Sequence, residues 1–133
     1  MVVLYSLDET VVINVVSYIE FLQTLYVIDK SEIPNSNIVD ELCKYYRKVK
    51  YVTCGENKGI AYALNLGATL AIESGAAWLL TMDQDSRFEK DLISKMVEHC
   101  MNLRDNKVII VAPKPINTEL VYIKRKENPF IHV

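Results

Sequence analysis

Trp78-Leu79-Leu80-Thr81-Met82-Asp83-Gln84-Asp85-Ser86 is an apolar run that ends abruptly in two carboxylates one residue apart. A short apolar run closed by polar residues reads as a buried strand, here over Ala77 to Met82. In open α/β sheets, ligands bind outside the carboxyl ends of the strands. Two acids placed there are suited to hold a divalent metal on a phosphate-bearing ligand. The alternative is a solvated turn that caps the next helix. Acid-x-acid spacing alone does not decide, because the chain repeats it at Glu89-Lys90-Asp91. That second pair reads as the first turn of a helix, where acids favour the dipole. Placement separates the two, since like charges crowded behind a buried strand are costly unless a cation neutralises them.

Upstream, strand and helix patterns alternate. Met1-Val2-Val3-Leu4-Tyr5 reads as a first strand. Ser6, Asp8 and Glu9 then supply a helix start, with Val12, Val15, Val16, Ile19 and Leu22 at helical spacing. The β-branched valines weaken that helix and leave a long strand as its competitor. Leu25-Tyr26-Val27-Ile28 reads as a second strand ending at Asp29-Lys30-Ser31. A loop at Pro34-Asn35-Ser36-Asn37, a short helix through Ile38, Leu42, Tyr45 and Tyr46, and a third strand through Val49, Tyr51 and Val52 follow. The strongest helix runs from Asn57 as N-cap through Ile60, Ala63, Leu64, Gly67, Ala68, Ala71 and Ile72 to Gly75.

Beyond the acids, Leu92, Ile93, Met96, Val97, Cys100 and Leu103 mark a helix that Asn106 ends. Val108-Ile109-Ile110-Val111 reads as a fifth strand before Pro113 and Pro115, and the tail beyond has weak periodicity. This alternation predicts a mainly parallel sheet with right-handed crossovers and helices on both faces.

The bulk composition is that of a soluble globular domain: 133 residues, 50% hydrophobic and 24% charged. A net charge of −2 argues against a nucleic-acid surface. Lys124-Arg125-Lys126, the densest basic cluster, reads as a solvated segment. No apolar run approaches the ~20 residues needed to cross a bilayer. No signal peptide is evident. Cys43, Cys54 and Cys100 are odd in number and widely spaced, as expected of thiols in a reducing compartment. With only His99 and His132 beside them, a Cys/His zinc site is not indicated.

Two further places carry candidate chemistry. Asp29 and Ser31 follow the second strand at the rim shared with Asp83, where an acid can accept from a base or ribose and a hydroxyl can donate. For an isolated Asp, a polar turn beginning the next connection is the simpler reading. Asn57-Lys58-Gly59 opens a helix and suits a phosphate, although an N-cap followed by a small residue accounts for the same tripeptide. Gly67 and Ala68 read as sites of close helix packing, and Trp78 and the tyrosines as core or rim.

Taken together, the segments Val2–Tyr5, Tyr26–Glu32, Asn57–Gly67 and Trp78–Ser86 resemble the N-terminal half of a family 2 glycosyltransferase, in order and approximate spacing. The similarity is to the bacterial rhamnosyltransferase-like branch and covers residues 1–115. It implies a Rossmann-like three-layer α/β/α sandwich of the nucleotide-diphospho-sugar transferase (GT-A) type, here truncated. By that resemblance, residues 1–115 are expected to form the nucleotide-sugar-binding half-domain, and residues 116–133 to lead toward a missing acceptor-binding half.

By the same resemblance, Asp29 contacts the nucleotide base and Tyr5 lines the base pocket. Asn57 and Lys58 lie near the nucleotide or its diphosphate, Asp83 approaches the ribose, and Asp85 binds Mg²⁺ or Mn²⁺. The chain departs from the family at Ser6 and Lys30, where relatives often carry Asn.

The implied reaction is an inverting transfer of a sugar, with rhamnose indicated by the branch, from a nucleoside-diphosphate sugar to a glycan or lipid-linked acceptor. The divalent cation would neutralise the departing diphosphate. The acceptor base is expected outside this chain, since Glu119 and Glu127 have no matching context. A donor-binding fragment of this kind is expected to bind nucleotide weakly, transfer sugar poorly and self-associate through an exposed apolar patch. A cytoplasmic place is implied, with peripheral association at the inner membrane face. Three rivals stay open. A phosphorelay receiver would carry its acid after the third strand, where Thr53-Cys54-Gly55 stands instead. A nucleotidyltransferase would carry a Gly-rich basic segment after the first strand. A non-catalytic interaction domain could keep the scaffold alone.

Overall fold

The computed structural model describes residues 1–6, 10–89, 91–105, 107–113 and 120–124. Expectations resting on Asp8, Glu9, Lys90, Asn106, Lys114, Pro115, Glu119, Arg125, Lys126, Glu127 and His132 lie outside the described residues. The chain divides into two compact units, Met1–Lys90 and Asp91–Val133.

The first unit holds a four-stranded parallel sheet. Its strands are β1 (Val2–Leu4), β2 (Leu25–Asp29), β3 (Val49–Thr53) and β4 (Met82–Asp83), in the order β3-β2-β1-β4. Helices α1 (Thr10–Val16), α2 (Ser36–Tyr45) and α3 (Ile60–Glu73) make the crossovers. The order runs outward from β1 through β2 to β3, then reverses to place β4 on the other side of β1. Right-handed crossovers therefore put α1 and α2 on one face and α3 on the other. Packing agrees: Val3, Ile28 and Ala63 of α3 share one buried cluster with Tyr26, Val52, Leu66 and Leu70 around it. Strand residues alternate between faces, so Val2, Leu4, Leu25 and Val27 fill the opposite side, and all are fully buried. Burial on both faces is what a central parallel strand requires, and it explains the unbroken apolar run of β1.

Helix α3 ends as its sequence demands. Gly75 takes φ 73°, the left-handed region. Its N–H donates to the Ile72 carbonyl at 2.9 Å, and the Ala76 N–H donates to the Ala71 carbonyl at 3.0 Å. The helix start differs from expectation. Gly59 (φ 85°), not Asn57, is the N-cap, and the Asn57 Oδ1 accepts from the Gly59 N–H at 3.1 Å. Gly67 permits close approach, since a Cβ there would meet the Met1 sulfur at 2.0 Å.

Two other segments of this unit differ from the sequence reading. Helix α1 spans only Thr10–Val16 and gives way to a 3₁₀ turn at Ile19–Phe21. Its buried face is Val11, Asn14 and Val15, continued by Tyr18 and Ile19. Its β-branched run supports a short helix only. The fourth strand is two residues long rather than six, and Trp78 and Leu79 are 38% and 37% exposed. Among the described residues its ladder partner is β1, with Val2 opposite Met82 and Val3 opposite Asp83. Before that, the Met1 amine donates to the Leu80 carbonyl.

In the second unit, α4 (Leu92–Asn102) buries Ile93 and Met96. The pair Glu89 and Asp91 precedes this helix rather than opening it, with Asp91 as N-cap at φ 74°. Strand β5 (Val108–Pro113) pairs antiparallel with β6 (Leu120–Lys124), a strand the weak tail periodicity did not reveal.

Candidate functional site at the carboxyl edge of the sheet

Strand register brings the sequence-singled acids to one edge. Asp29 stands level with Leu4 and Thr53, and Asp83 stands level with Val3. The residues that follow leave the sheet on the same side. Between β1 and β4 the strand order reverses, and such a reversal opens a crevice at the carboxyl ends. Direct bonds knit this place. The Tyr5 N–H donates to the Gln84 Oε1 at 2.8 Å, and the Asn14 amide donates to the Gln84 carbonyl at 2.9 Å. A turn follows, in which the Ser86 N–H donates to the Asp83 carbonyl at 3.1 Å. Gln84, between the two acids, thus fastens their turn to β1 and α1. Asn14 is 7% exposed, and its burial on α1 has this bond as its reason.

Asp29 is fully buried and saturated with donors. Its Oδ1 accepts from the Ser31 N–H at 2.9 Å, and its Oδ2 accepts from the Asn35 N–H at 2.8 Å and the Tyr51 hydroxyl at 2.6 Å. The Asn35 amide bridges both oxygens at 3.3 and 3.1 Å and reaches the Ser31 Oγ at 2.8 Å. The Ser31 Oγ also accepts from the Ser6 N–H at 3.3 Å, which closes the network onto the end of β1. Burial raises the Asp29 carboxyl, but the bonds from Tyr51, Asn35 and Ser31 outweigh it and hold the group below the usual carboxylate range. Burial pushes the Tyr51 phenol up, helped by the Asp29 bond and charge. An ionised carboxylate offers about four acceptor sites, and donors from Ser31, Asn35 and Tyr51 fill them.

The remaining candidates are open to solvent. Tyr5 is 44% exposed, with the Lys30 ammonium 4.3 Å from its ring centre. Asn57 and Lys58 are exposed; the Lys58 ammonium pairs with Glu56 at 2.9 Å and lies 5.0 Å from the Tyr62 ring. Asp83 and Asp85 are exposed, and no hydrogen bond or ion pair engages either carboxylate among the described residues. No three His, Cys, Asp or Glu side chains gather as a metal cluster among the described residues. Asp83 and Asp85 nonetheless fit Mg²⁺ or Mn²⁺, because such ions bind through one or two carboxylates with phosphate oxygens and water completing the shell. A hollow along α2 is lined by Asn37, Asp40, Glu41, Lys44 and Tyr45, all on one helix surface.

Sequence reasoning missed Asn35, Tyr51, Gln84 and Asn14. Tyr51 was findable: it pairs with Val27, so strand alternation puts it on the Asp29 face, diagonal to that carboxylate. Gln84 gave no signal beyond being the spacer between two acids. The three cysteines are free, and Cys43 is exposed.

A parallel sheet with acids gathered at its topological reversal is an α/β architecture of the kind that takes ligands at its carboxyl edge. Residues 9–132 match the glycosyl transferase family 2 domain, and the chain belongs to that family. It is similar to the dTDP-rhamnosyl transferase RfbF of Shigella flexneri, at 35% identity over 74 residues. That match covers 56% of this chain and 25% of the relative, so the chain spans about a quarter of that relative's length. No solved structure gives a significant match. No helix among the described residues is long and apolar enough to cross a membrane.

Proposed function

We propose that this chain binds the nucleoside-diphosphate part of a sugar donor in the crevice between β1 and β4. In the whole enzyme it would serve an inverting transfer of that sugar to a glycan or lipid-linked acceptor. The observation that carries this reading is the placement of Asp29, Asp83 and Asp85 along one carboxyl edge, beside the reversal of strand order. Membership of glycosyl transferase family 2 supports it. The relative's name supports a thymidine nucleotide carrying rhamnose as donor.

In this reading Tyr5 offers its exposed ring to the base. Asp29 backs the base pocket: its saturated oxygens fix Ser31 and Asn35, and a base that bonds Asp29 directly must displace the Asn35 amide. Asp83 faces the ribose. Asn57 and Lys58 approach the nucleotide from the loop before α3. Asp85 would hold Mg²⁺ or Mn²⁺, and the bound ion would supply charge neutralisation on the leaving diphosphate. The protein's own contribution is to hold the two acids in a turn fixed by Gln84, so that the diphosphate is met by a preset geometry.

Calorimetric titration of dTDP and UDP with and without Mn²⁺, on wild type and Asp85→Ala, tests the proposal. Mn²⁺ is expected to tighten wild-type binding by about tenfold or more, and Asp85→Ala is expected to lose that gain. Binding of neither nucleotide, or binding indifferent to both Mn²⁺ and Asp85, would contradict it.

A further inference from the structure

We infer that Lys30, which the family resemblance marks as a departure, is the residue of this chain that meets the donor's diphosphate charge. The inference rests on the donor-binding reading above and adds to it a binding residue.

Among the described residues, Lys30, Lys58 and Arg87 follow β2, β3 and β4 at their carboxyl ends. Lys58 is already neutralised by Glu56 at 2.9 Å and stands exposed. Arg87 is exposed beyond the Asp83–Ser86 turn, with no ring contact to fix it. Lys30 differs from both. Its backbone N–H donates to the Leu4 carbonyl at 3.1 Å, which extends the β1–β2 ladder by one rung. Its side chain is half-buried and laid over Tyr5, the ammonium 4.3 Å from the ring centre. Tyr5 in turn is bonded through its N–H to Gln84, between the two exposed acids. A ring face attracts the ammonium without using its N–H donors, so all three stay available to oxygen. No carboxylate pairs with it among the described residues.

The Asp29 network holds this arrangement from behind, since Ser31 is tied to both Asp29 and Asn35 and accepts from the Ser6 N–H. The result is a cation held over Tyr5, at the sheet edge that carries three acids. An anionic ligand entering there needs such a counter-charge, and a lysine meets phosphate as a point charge. An asparagine at this position would offer an amide but no charge.

The test compares thymidine with dTDP at constant Mg²⁺, on wild type, Lys30→Met, Lys30→Arg and Lys58→Met, with a thermal melt of each to confirm folding. Lys30→Met is expected to weaken dTDP binding roughly tenfold and to leave thymidine binding unchanged. Lys30→Arg should keep most of the dTDP affinity, and Lys58→Met should cost less than Lys30→Met. Unchanged dTDP affinity in Lys30→Met overturns the inference. So does an equal loss for thymidine and dTDP, which would make Lys30 a wall of the base pocket. Wild type that binds neither dTDP nor UDP overturns the donor-binding reading and this inference with it; wild-type binding that survives Lys30→Met overturns this inference alone.

Discussion

Asp29 shows how much one buried carboxylate can organise. Its oxygens join β2 to the α2 entry through Asn35, to β3 through Tyr51 and, by way of Ser31, to the end of β1. An ionised group with no solvent is tolerated only when such bonds replace its water. Removing one donor should therefore cost more than an ordinary surface bond. Tyr51→Phe deletes only the hydroxyl, and urea unfolding should show a loss of about 1.5–3 kcal/mol. Acid provides a second readout. The folded-state pKa of Asp29 is depressed, so the folded chain binds fewer protons than the unfolded one. The stabilisation is fully present above the unfolded value of about 4 and is lost as pH falls through the lower folded value. Asp29→Asn should flatten that part of the acid unfolding curve. An unchanged acid limb would show that the carboxylate is not held as its partners indicate.

At the scale of elements, α3 and its glycine stop were legible because they depend on neighbours in sequence. Gly75 holds φ 73° with open space around the position of a Cβ. Gly75→Ala should thus cost about 1 kcal/mol through backbone strain alone, seen as a lower urea midpoint with an unchanged slope. Other boundaries were not legible, for reasons that differ. Asn57 looks like an N-cap by residue type, yet the chain begins its helix after Gly59, whose φ of 85° is open to glycine. The run from Ala77 to Met82 has the residues of a strand, but a ladder needs a partner, and β1 offers only Val2 and Val3 to it. Val108 to Val111 reads as a strand, and the strand runs on to Pro113. A strand's own residues do not say which edge it joins, and its partner proved to be Leu120–Lys124 rather than the parallel sheet.

At the scale of the whole molecule, the alternation of strands and helices was enough to predict a parallel sheet, and it placed Asp29 and Asp83 at one rim. What alternation could not give is strand order, and strand order locates the crevice. Only with β4 beside β1 do Tyr5, Gln84 and the acid pair meet. In the proposed function a nucleotide-bound cation sits at this reversal. Paramagnetic broadening of amide signals by substoichiometric Mn²⁺, with and without dTDP, tests this most directly. With dTDP present, the signals of Tyr5 and Asp83 to Ser86 are expected to broaden first while those of Val39 to Tyr45 stay sharp. Broadening centred on Asp40 and Glu41 of α2, or a pattern that dTDP does not change, would contradict it.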